Sequence, residues 1–127
     1  MRLYGPINSG VAAGGAGVAT NNASSAQSLH GNVIGIYVRY NDAPPNTTDV
    51  IVSTVGTFPA MPTQTLLTLT NKNTDGLFLP RSVAQDELGA DLAALTILEP
   101  NPIFDNINVS IAQANNADSV DVWLFLE

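Results

Sequence analysis

INVSIAQANNADSVDVWLFLE, residues 107–127, is the stretch whose reading decides the fold class. Ile107, Val109 and Ile111 alternate with polar residues, and Val120, Val122, Leu124 and Leu126 recur with the same period of two. A period of two places each set on one face of a pleated strand. Asn115, Asn116, Ala117 and Asp118 between the two runs are the residue types that turns favour. The expectation is an antiparallel hairpin over 107–127. Trp123 and Phe125 lie on the opposite face of its second strand, which suggests that both faces of that strand are covered.

The same reading extends toward the N-terminus. NVIGIYVRY (32–40) is dense in β-branched and aromatic residues and reads as a strand. Pro44 and Pro45 end it, because proline cannot donate to a ladder and restricts the residue before it. TDVIVSTV (48–55) and TQTLLTLT (63–70) are two further strands, separated by GTFPAMP. Asp75-Gly76 signals a tight reversal, and LFLPRSV (77–83) is a strand whose Pro80 assigns it to an edge or a bulge. Residues 82–98 are open between a short helix and a hairpin. Ser82 and Gln85 could form a capping box. Gly89 would cost such a helix about 1 kcal/mol, so a turn at DELGAD is preferred. Together these runs predict an all-β, antiparallel sandwich, jelly-roll or Greek-key-like, of seven or eight strands.

Composition bounds the chemistry. The chain has 127 residues, no cysteine, 12% charged and 45% hydrophobic residues, and a formal charge of −7. One domain of this length can bury a core without staples. Thiolate chemistry and disulfides are excluded. With Arg2, Arg39, Lys72 and Arg81 as its cations, the chain is poorly suited to nucleic acid or an anionic membrane. The first residues lack a charged region followed by a long apolar run. No stretch reaches the roughly 18 apolar residues of a bilayer helix. A soluble product of the cytoplasm is therefore expected.

Candidate sites fare poorly. His30 is the sole histidine; a triad would need it as the base, but it precedes a strand at the edge of the Gly/Ala segment and reads as an exposed loop or strand-end residue. Asp86 and Glu87 as an acid–base pair are outweighed by a solvated turn. The Asp/Asn-rich turns lack EF-hand spacing and read as turn chemistry rather than calcium sites. Sequons at Asn22, Asn46 and Asn108 read as coincidences of composition. No catalytic residue, cofactor or metal is expected.

GVAAGGAGVATNNASSAQS (10–28) is uncharged and free of aromatic rings. Gly15-Ala16-Gly17 lacks the third glycine and the preceding strand of a dinucleotide loop, and no lysine precedes Lys72 to make a P-loop. Small side chains lose little entropy when laid against a surface. Residues 1–29 are therefore expected to be an extended arm beside a sandwich domain of residues 30–127. Leu3, Tyr4, Ile7, Val11 and Val18 are its candidate contacts with another subunit or a shell.

YVRYNDAPPNTTDVIVST, TLLTLTNKNTDGLFLPR and VSIAQANNADSVDVWLFLE resemble small proteins encoded among the head genes of tailed bacteriophages, and the likeness covers most of the chain. The resemblance implies a capsid decoration (cement) protein on the outer surface of the virion. Its implied partners are the major capsid protein and two further copies of itself in a homotrimer. A tail, neck or receptor-binding module recognising a host ligand is the alternative.

Overall fold

The computed structural model describes residues 1–57, 62–83, 85, 88 and 98–127. These residues build two packed antiparallel sheets and a separate two-stranded one of β7 and β8, with no helix among them. In chain order the strands are β1 (Arg2–Asn8), β2 (Ala19–Ser24), β3 (Leu29–Asn41), β4 (Asp49–Thr54), β5 (Thr65–Leu69) and β6 (Gly76–Phe78). They continue as β7 (Ser82–Val83), β8 (Leu98–Glu99), β9 (Asn101–Asp105), β10 (Ile107–Ala114) and β11 (Ser119–Leu126).

The first sheet runs β1-β11-β3-β6, with β9 also on β3; the second runs β2-β10-β4-β5. β6 and β9 pair with different stretches of β3, at Ile36–Val38 and Leu29–Val33. Counted as one position, they leave eight positions, ordered 1-8-3-6 in one sheet and 2-7-4-5 in the other. That order is a jelly roll.

The alternating residues meet in the middle. Val33, Ile36, Val38, Val120, Val122, Leu124 and Leu126 from the first sheet face Val50, Val52, Ile107, Val109 and Ile111 from the second, and all are buried. Burying one such side chain contributes about 1.5–3 kcal/mol.

The expected hairpin over 107–127 is corrected. β10 pairs with β2 and β4, while β11 pairs with β1 and β3, so the two runs belong to different sheets. Residues 115–118 carry the chain across the core. Asp118 Oδ2 accepts from Asn115 N at 2.8 Å, and Ala117, at φ 75°, donates to Ala12 O at 2.8 Å. Two runs with apolar alternation can lie side by side in one sheet or face to face across a core, and periodicity alone fits both.

Residues 1–29 also run differently from the expected arm. β1 lies along β11 and β2 along β10, so this segment supplies an edge strand to each sheet. Ile7, Ala12 and Ala19 are buried in the core. Ahead of β2, Ala13 exchanges backbone hydrogen bonds with Thr20 of that strand. The small side chains that suggested flat packing do pack flat, against the chain's own sandwich.

In the 82–98 region, Ser82 pairs with Glu99 and Val83 with Leu98. The choice between helix and turn falls on 84, 86–87 and 89–97, outside the described residues, as does the Asp86–Glu87 pair.

Candidate interaction surface

Several of the polar residues in the Asp/Asn-rich turns are hydrogen-bonded within the fold. His30 is exposed on β3, its ring centroid 6.4 Å from that of Phe104. The acids of the turns accept backbone N–H groups: Asp49 from Asn71, Asp75 from Tyr40, and Asp118 from Asn115. Asp105 is buried and accepts from Gly56 N at 2.6 Å and Asn106 N at 2.7 Å. Burial pushes its carboxyl up. The hydrogen bonds from the Thr57 side chain and from Asn106, Gly56 and Thr57 N–H outweigh that and hold it below the ordinary 3.8.

The five contact candidates separate. Leu3, Val11 and Val18 are 60%, 60% and 69% exposed, whereas Ile7 is 5% exposed. Tyr4 is half-buried and packs against the core. The register explains this: Tyr4 opposes Leu124 and Ile7 opposes Val122, both inward-facing, while Leu3 opposes Phe125 on the outer face.

Several of the exposed apolar side chains, Met1, Leu3, Leu77 and Leu79, gather on that outer face of the first sheet. Tyr37 and Trp123 are register partners whose rings lie 5.6 Å apart, and Leu77 opposes Tyr37 from β6. One step along, Gly35 opposes Phe125. A bulge follows, in which Leu126 pairs with Val33 and Ile34 is the extra residue.

Met1, Ile34, Gly35, Leu77, Leu79 and Phe125 enclose a shallow groove of about 250 Å³. Leu77 and Leu79 are 58% and 61% exposed. A Cβ built on Gly35 would lie 3.4 Å from Leu79, 3.6 Å from Leu77 and 3.6 Å from Phe125, ordinary contacts, so this glycine leaves the groove its floor. Trp123 and Phe125, expected to be covered, are only half-buried.

Polar residues border the apolar rows. Arg39 pairs with Asp121 at 2.7 Å and lies 5.1 Å from the Trp123 ring centroid. Asp121 also accepts from Asn8 and Asn41. Burial raises its carboxyl, but the bonds from Asn8, Arg39 and Asn41 and the Arg39 charge bring it below the ordinary value. Gly5 leaves room for the Trp123 side chain beside β1. At φ 140°, a Cβ there would come within 2.9 Å of the indole and 2.7 Å of Val122 O.

Sequence reasoning found Leu3 and the outward Trp123 and Phe125 but missed the groove. Its walls come from residues 1, 34–35, 77–79 and 125, and no local pattern joins them. The one available signal was Leu77-Phe78-Leu79 before Pro80, an apolar run on a strand read as an edge.

Compared with protein-family models, curated proteins and solved structures, the chain matches none.

Proposed function

We propose that this chain is a structural virion protein of a tailed bacteriophage, a decoration protein that binds the assembled shell of the major capsid protein as a trimer and stabilises it. The observation that carries the reading is the apolar outer face of the first sheet. Exposed aliphatic residues gathered beside aromatic rings mark an interaction surface more often than a solvated one. The resemblance of the chain to phage head proteins directs that surface to a shell. The fold alone does not, because jelly rolls serve many functions.

The mechanism is linkage. A protein that binds the assembled shell and not its dissociated subunits favours assembly, by about 2.7 kcal/mol per site when its free concentration is a hundred times Kd. Three linked copies raise the effective concentration at the remaining sites once one has bound.

The test is to add the purified protein to shells that lack it, then follow co-sedimentation and the temperature at which the shells disrupt. Saturable retention with a raised disruption temperature is expected. Shells that neither retain the protein nor gain stability refute the proposal.

A further inference from the structure

We draw no further inference here: the strongest candidate, the apolar groove of Ile34, Gly35, Leu77, Leu79 and Phe125 on the outer face of the first sheet, carries nothing more because nothing in the structure shows what covers it.

Discussion

Tyr40 is a residue whose local chemistry opposes its position. Its Oη is buried with no hydrogen-bond partner among the described residues, and its ring packs against the core. Burial, with added repulsion from Asp75 and Asp49, pushes its hydroxyl from 10.0 up to about 12. The unfolded chain therefore releases this proton at lower pH than the folded one, and stability falls as pH rises from 10 to about 12. Tyr40→Phe should remove that alkaline loss and leave neutral-pH stability unchanged or raised by up to about 1 kcal/mol, since an unmet hydroxyl is removed from the core. Urea unfolding at pH 7 and pH 11 checks both. Asp105 and Asp121 act with opposite sign. Their native carboxyls lie below the ordinary value, so their stabilisation is complete above about pH 4 and is lost as pH falls through the lower native values. Asp105→Asn should cost about 2 kcal/mol at pH 7 by weakening the bonds to Gly56, Thr57 and Asn106 N–H, and should make the acid limb of a stability–pH curve shallower. An unchanged acid limb would count against that account.

Among the elements, β1 and β2 depart furthest from expectation. β1 is hydrogen-bonded along β11, Ser9 N donates to Val120 O at 3.0 Å, and Ser9 Oγ accepts from Val120 N at 3.1 Å. Removing residues 1–28 would strip an edge from each sheet and expose Val122 and Leu124. The truncated chain should lose its cooperative unfolding transition and bind a hydrophobic dye, measured by circular dichroism and fluorescence. A cooperative transition in the truncated protein would show that residues 1–28 are a separable arm after all. The alternation at Ile107, Val109 and Ile111 and at Val120, Val122 and Leu124 is legible because large β-branched and aliphatic residues face one side in strict period two. Ala12 and Ala19 are as deeply buried but carry no such signal. Alanine, glycine and serine occur equally in linkers and in tightly packed strands, and only their neighbours distinguish the two.

For the whole molecule, stability resides in the interface between the sheets. Leu124→Ala, at the centre of that interface and fully buried, should cost about 2–5 kcal/mol through lost transfer energy and the cavity left behind, read as a lowered urea midpoint. Leu77→Asp, on the outer face, should leave the midpoint within about 0.5 kcal/mol, as surface changes away from core and caps generally do. The contrast separates a face that holds the fold from one available to a partner. The sequence by itself determined the all-β class, most strand positions and the inward set on β10 and β11, because side-chain period and turn residues are local properties of the chain. Only the tertiary structure decided that β10 and β11 face each other across the core, that the N-terminal segment closes both sheets, and that residues 1, 34–35, 77–79 and 125 share one groove. Those outcomes depend on which strand lies beside which, a choice made by the summed packing of distant segments and written in no single stretch.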